Sequence, residues 1–313
     1  MTSKRKHRLW RGRTKSSARV RIVVCLLRLA GCRTWTLSLF PALVGTTLPF
    51  WLRPPGFSFD PLSAAEFLVA TALFHAGFSF LLARFEERVT SSWRAPRLVE
   101  AAGVCIVAGC LLGLHLNSGL ALHPGVYENI FLLYGVAVLF VGILYVAPPF
   151  SFHRRVGGEV VLCEGLGMIP ILGAYLVQVG DLTRTVYIAS MPLVMSTGLW
   201  VWVSELASRG DDERTGRNTM VRLFSPPCSA RYGTLILVLL VFSAIIGSVL
   251  TRSSVPPLSL LALISSALAL PVLRISWSDY ADRARMLTAR SYALLAHGAL
   301  CLVVSVASVT SHF

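Results

Sequence analysis

The chain is dominated by long stretches of apolar residues that carry almost no charge, and this constrains its fold more than any other feature. A run of about 20 such residues is long enough to cross a bilayer core as a helix. Nine of them stand out: Thr34–Leu52, Ala64–Leu82, Leu98–Asn117, Ile130–Ala147, Val160–Val179, Val186–Leu206, Tyr232–Leu250, Leu258–Ile275 and Tyr292–Ser308. Backbone groups inside lipid must pair within their own segment, which selects helices. The short alternating segments of a membrane β-barrel are missing from the pattern. The expected fold is therefore all-α, a polytopic bundle of about nine transmembrane helices.

Composition supports the same conclusion. Of the 313 residues, 55% are hydrophobic and 14% are charged, against roughly a quarter charged in a soluble domain. The net charge of +14 does not indicate a nucleic-acid partner, which would need a soluble basic face. The basic residues flank apolar runs, and the partner they imply is the lipid bilayer. The cysteines lie mostly within apolar runs and form no CxxC pair, so they are expected to be reduced, buried and small.

Residues 1–33 form a basic tail, and residues 34–313 form a single membrane domain. Val20–Leu29 is too short and too charged to span, and suits a surface helix lying on anionic lipid. Arg28 interrupts the apolar part, and no cleavage site follows, which argues against a signal peptide. Nine spans place 26 of the 29 Lys and Arg residues on the side of the N-terminus and three on the other. A missed or invented span would scramble that asymmetry. The positive-inside rule then puts the N-terminus in the cytoplasm, and the expected location is a bacterial cytoplasmic membrane.

The polar residues able to do chemistry gather at this basic end. Arg84 to Arg88 contains Glu86 and Glu87, Ser204 to Arg214 contains Glu205, Asp211, Asp212 and Glu213, and Tyr145 to Glu159 carries Arg154 and Arg155. Carboxylates at a cavity mouth suit Mg²⁺, which takes oxygen ligands together with substrate phosphates. Arginines beside them suit a diphosphate. Glu164 is an ionisable residue within the fifth run, where a functional role and snorkelling to the interface are equal alternatives. His75, in the second run, suits a hydrogen bond to a neighbouring helix.

Several motifs resemble the UbiA-type membrane prenyltransferases, and most closely the 1,4-dihydroxy-2-naphthoate polyprenyltransferases. The likeness is carried by Arg33-Thr34-Trp35-Thr36-Leu37, by Pro41 to Thr46, by Tyr145-Val146-Ala147-Pro148-Pro149-Phe150 followed by Gly157-Gly158-Glu159, by Gly173 to Gly180, and by Gly216 to Leu223. The resemblance implies a polyprenyl diphosphate donor, an aromatic acceptor such as a naphthoate precursor of menaquinone, and Mg²⁺ held by two acidic motifs. The first motif aligns with Ser79, Leu82, Ala83 and Glu86, and the second with Ser204, Glu205, Ser208 and Asp212. The expected catalytic and metal-binding set is Glu86, Glu205 and Asp212. The expected substrate-binding set is Tyr145, Arg154, Arg155 and Arg217, where Arg217 stands in place of the family's lysine. Only three aligned carboxylates remain, so a non-catalytic isoprenoid-lipid binder or an isoprenoid cyclase is the competing reading.

The topology has a direct test. A reporter active only in the cytoplasm is expected to work when fused to the N-terminus and to fail when fused to the C-terminus. Equal activity at both ends would overturn the odd number of spans.

Overall fold

The computed structural model describes residues 30–85, 95–120, 130–251 and 254–311. Within them the chain forms nine long helices and no strand. These are α1 (Thr36–Leu52), α2 (Pro61–Phe85), α3 (Ala95–Leu120) and α4 (Ile130–Val146). They continue as α5 (Gly158–Val179), α6 (Arg184–Thr215), α7 (Pro226–Leu250), α8 (Pro257–Ser278) and α9 (Arg283–Thr310). Seven are long and apolar enough to cross a membrane. The remaining two, α1 and α4, have 17 residues each. Their length of about 25 Å makes them short spans.

α1 lies in the middle of the bundle, against α2, α5 and α9, while α6 packs on α7 and α9. The main core joins Val44 and Leu48 of α1 to Ile171 and Tyr175 of α5, Leu193 of α6, Ile245 of α7 and Leu300 of α9. The outward faces are equally apolar: Val104 is 71% exposed and Leu133 69%. Large aliphatic residues on the outside as well as in the core are what a lipid-facing bundle requires. Apolar burial does not drive helices together in lipid, so close packing and interhelical polar contacts take that role.

Two helices run beyond the apolar stretches that mark them. α6 does not end at Leu206 but continues to Thr215, so the second acidic segment is helical rather than a loop. Its 32 residues extend about 48 Å, well past a hydrocarbon core of about 30 Å. Hydropathy reports where lipid ends, not where the helix ends. The exposed turns carry ion pairs from Arg209 to Glu213 and from Arg214 to Asp211, of the kind that support an isolated helix surface. α9 likewise starts at Arg283, well before Tyr292, with the Asp282 carboxylate accepting from the Ala284 and Arg285 amides. The tail helix expected at Val20–Leu29 lies outside the described residues, as do Glu86, Glu87 and Arg88.

At the end remote from the basic loops, a side-chain amide ties the α1–α2 connection to α5. Gln178 Oε1 accepts from the Asp60 backbone N–H at 3.1 Å, and its Nε2 donates to the Asp60 carbonyl at 3.0 Å. The Asp60 carboxylate caps α2, accepting from the Leu62 amide and the Ser63 hydroxyl. The Ser63 hydroxyl holds this carboxyl below its ordinary range. A group with a lowered folded-state pKa stabilises the fold above its unfolded value of about 4 and loses that contribution as pH falls through the folded value. Asp60→Ala is expected to cost about 1 kcal/mol, read as a lower melting temperature at neutral pH, and the gap between variant and wild type should narrow in acid.

Candidate functional site

The residues singled out at the end of α6 come together through a single turn. Glu205, Ser208 and Asp212 are three and seven residues apart, which places them on one face of the helix. Gly216 ends α6 in the left-handed conformation, φ 67°. The chain reverses there, and the Arg217 amide donates to the Asp212 carbonyl at 3.0 Å. That turn folds the Arg217 side chain back onto the acidic face. Its Nη2 lies 3.5 Å from Glu205 Oε1 and its Nη1 3.6 Å from Asp212 Oδ1. Its Nε donates to the His153 carbonyl at 2.6 Å. Both carboxylates are buried, and Arg217 is the cation that contacts both of them.

The loop between α4 and α5 forms the other wall. It includes a cis Pro148–Pro149 bond and a 3₁₀ turn at Phe152–Arg154. Gly157 has φ 91°, and a Cβ on Gly158 would sit 2.0 Å from the Phe152 carbonyl oxygen. Only glycines allow the chain to double back so tightly. The turn buries Glu159, whose carboxylate accepts from the Gly157 amide at 3.0 Å and the Met220 amide at 2.5 Å. It also lies beside the Glu205 carboxyl. His153 is buried, its Nδ1 at 2.9 Å from the Tyr145 carbonyl, with its ring 6.0 Å from that of Tyr145. Glu159, which closes the Gly157-Gly158-Glu159 motif, and His153, which the sequence reading does not single out, are thus central to the site. The signal was the Gly-Gly pair, which marks a tight return.

Arg154 and Arg155 are exposed. Arg155 donates to the Pro149 carbonyl at 3.0 Å, and the Arg154 carbonyl accepts from the Asn218 amide at 3.0 Å. Their side chains stand at the rim, while Arg217 is drawn inside. Glu164 opens a π turn, Glu164–Met168, within α5 and is half-buried. The structure therefore brings together Glu205, Asp212 and Arg217, places Tyr145 next to them through His153, and leaves Arg154 and Arg155 at the surface. Glu86 lies outside the described residues.

Below this cluster lies a cavity of about 400 Å³. It runs between α2, α3, α4 and α5, from Ser79, Leu82, Tyr145 and Val161 near the basic end to Phe67, Leu116, Phe131 and Tyr134 at the other. Phe67 to Leu82 spans about 22 Å along α2. The walls are overwhelmingly aliphatic and aromatic, and Trp200 of α6 also lines the space. Glu205 is five residues on from Trp200, so the acidic cluster sits just beyond the cavity's basic end.

Mg²⁺ demands near-octahedral oxygen ligands. Among the described residues, no three His, Cys, Asp or Glu side chains converge in a way that could hold a metal ion. The α6 carboxylates are bridged by Arg217 instead. Ser208 donates to Asp212 Oδ2 at 3.2 Å and Ser204 to the Trp200 carbonyl at 2.7 Å, hydroxyls where the family motif has stronger ligands. The described residues do not fit the ion.

No protein-family model matches the chain, and no curated protein matches it in sequence. Solved structures do match in fold. A structure of digeranylgeranylglyceryl phosphate synthase is similar with a TM-score of 0.62 and 14% identity, over 92% of this chain and 99% of that one. A UbiA homologue from Aeropyrum pernix K1 gives 0.60 and 17% identity, over 90% and 98% of the two chains. A UbiA homologue from Archaeoglobus fulgidus bound to GPP and Mg²⁺ gives 0.53 and 15%, over 90% and 99%. The protein has the fold of these membrane UbiA homologues along nearly its whole length.

Removing one partner of a buried ion pair leaves an uncompensated charge. Arg217→Ala is therefore expected to lower stability by about 3 kcal/mol, seen as a drop in the melting temperature of detergent-purified protein. Arg155→Ala, at the exposed rim, is expected to stay within about 0.5 kcal/mol of wild type. Equal effects from the two changes would show that the buried pairs contribute nothing.

Proposed function

We propose that the protein is an integral membrane prenyltransferase, moving a polyprenyl group from an isoprenoid diphosphate to an aromatic acceptor such as a naphthoate precursor of a quinone. The observation that carries this is the juxtaposition of a long apolar cavity with a charged cluster at its basic end. A prenyl chain is wholly apolar and needs a dry, extended slot, and its diphosphate needs cations at one end of that slot only. The fold shared with homologues that include one bound to GPP and Mg²⁺ supports the same assignment.

In this reading the chain lies along α2 and α4 and the diphosphate rests at the mouth. Arg217, fixed by Glu205 and Asp212, faces the leaving group together with Arg154 and Arg155 at the rim. The bond from C1 to the diphosphate oxygen breaks, and its electron pair leaves with the diphosphate. The Tyr145 ring, on the cavity wall, stabilises the developing allylic cation through its π face. A ring carbon of the acceptor attacks C1, and the ring then loses a proton or a carboxyl group. Magnesium enters this reading only with Glu86, whose carboxylate would join Glu205 and Asp212.

One observation favours a second reading. Both α6 carboxylates are engaged by Arg217, as would suit a relative that binds isoprenoid lipids without turning them over. Purified protein, labelled polyprenyl diphosphates and a panel of aromatic acceptors, with and without Mg²⁺, separate the two. Prenylated product is expected from wild type, with turnover reduced about a hundredfold or more in Arg217→Ala. Tight donor binding with no product under any condition would decide for the binding protein.

A further inference from the structure

The cavity has one concentrated polar patch in its otherwise apolar wall. It is built by the turn before α1, by α1 itself and by α2. Thr34 and Ser38 are four residues apart on one face, as are His75 and Ser79, and all four side chains line the cavity. His75 Nδ1 is 2.8 Å from Ser38 Oγ, and its Nε2 is 3.1 Å from Thr34 Oγ1. Gly31 seals the patch from behind. It has φ 74°, and a Cβ there would come within 2.6 Å of Ser79 Oγ and 3.1 Å of His75 Nε2.

The bond lengths give this patch a direction. Thr34 Oγ1 donates to the Gly31 carbonyl at 2.8 Å, so its oxygen is left to accept from His75 Nε2–H. A neutral imidazole then has Nδ1 as acceptor, and the Ser38 hydroxyl donates to it. The opposite tautomer would send the Ser38 proton to the Trp35 carbonyl at 3.3 Å, a longer and weaker bond. The chain therefore runs from Ser38 to His75 to Thr34 to the Gly31 carbonyl. It leaves a lone pair of Ser38 for a group in the cavity and an unprotonated ring nitrogen behind it. A phenylalanine or leucine at position 75 would suit an apolar wall better, because polar groups in lipid carry a penalty and tend to mark function.

We propose that His75, acting through Ser38, is the proton acceptor for a hydroxyl-bearing prenyl acceptor seated in this part of the cavity. The inference rests on the prenyl-transfer reading. Within the patch His75 lies one turn below Ser79, about 6 Å along α2, on the path from the charged mouth into the cavity. As the new bond to C1 forms and the bond from C1 to diphosphate breaks, the acceptor hydroxyl passes its proton to Ser38 Oγ. The Ser38 proton moves to His75 Nδ1, and the diphosphate departs with its electron pair. The imidazolium keeps Nε2–H on Thr34 until the product leaves. The chemistry requires an acceptor whose hydroxyl either attacks directly or feeds electrons into the attacking ring carbon, so the acceptor class is a phenol, a naphthol or an alcohol.

The test uses full-length protein in detergent with a labelled donor and an acceptor that wild type turns over. His75→Gln is expected to lower kcat about a hundredfold and Ser38→Ala roughly tenfold, with donor KM and melting temperature held. A purely structural role would instead move stability and donor KM together with rate, and that outcome would overturn the proposal, as would wild-type kcat in His75→Gln. Wild-type protein gives a second readout that needs no variant. The methyl ether of the acceptor is expected to be refused while the parent hydroxyl compound reacts, and transfer to the ether would overturn the proposal. Absence of turnover in wild type across all donors and acceptors would remove the prenyl-transfer reading, and this one with it. Turnover that is indifferent to His75 removes only the present inference.

Discussion

Hydrocarbon offers no hydrogen bonds, and every part of this structure answers to that fact. It forces the backbone into helices over each apolar run. It also means that each polar side chain within the bundle needs a partner supplied by the protein. The bundle meets the requirement at several points, while buried hydroxyls such as those of Thr234, Ser276 and Ser305 have no hydrogen-bond partner among the described residues. Gln178 pairs with both backbone groups of Asp60. His297, fully buried on α9, sits 2.7 Å from Ser196 Oγ on α6 and 3.6 Å from Cys301 Sγ. His75 is held between two hydroxyls. Each knot ties two elements across the bundle, in a medium where apolar burial alone would not choose among helix neighbours.

The charged cluster solves the same problem at higher stakes. Two buried carboxylates on one face of α6 would repel one another and neither would be solvated. The left-handed turn at Gly216 returns the chain so that Arg217 meets both, and the His153 carbonyl fixes the third edge of its guanidinium. An arginine suits this place better than a lysine, because its planar fork can address three acceptors at once. The arrangement locks α6 to the loop between α4 and α5, so the two walls of the cavity mouth are held by the ion pairs that charge it.

Most of the fold was legible in the sequence. Nine apolar runs became nine helices, because in lipid the length of an apolar run and the length of a helix are linked by one rise per residue. The links failed where lipid ends. Hydropathy stopped α6 at Leu206 and delayed α9 to Tyr292, since nothing in an apolar scale registers a helix that continues into water on ion pairs and a carboxylate cap. The site was legible in part. Glu205, Asp212 and Arg217 were named, but their closure on one another depends on the turn at Gly216. The site roles of Glu159, legible only as the end of a motif, and of His153 were hidden because both look like ordinary loop residues until the loop's return path is known. His75 was legible as a hydrogen bond to a neighbouring helix, but only the packing of α1 on α2 shows that Ser38 and Thr34 are its partners.

The substitutions in the acidic motifs and the position of Arg217 are best understood together. A cluster that holds a divalent ion must keep several carboxylates close, and their mutual repulsion is tolerable only with the ion bound. Ser204, Ser208, Leu82 and Ala83 add no negative charge, and Arg217 is the cation that Glu205 and Asp212 share. Arg217 lies between Glu205 and Asp212, and the two carboxylates fix its guanidinium in return. A fixed cation also suits the apolar cavity beneath, because its charge is already desolvated and directed by the protein's own groups. The fold is shared with solved UbiA homologues at 14–17% identity, and the fixed cation at its mouth is one that the chain supplies itself.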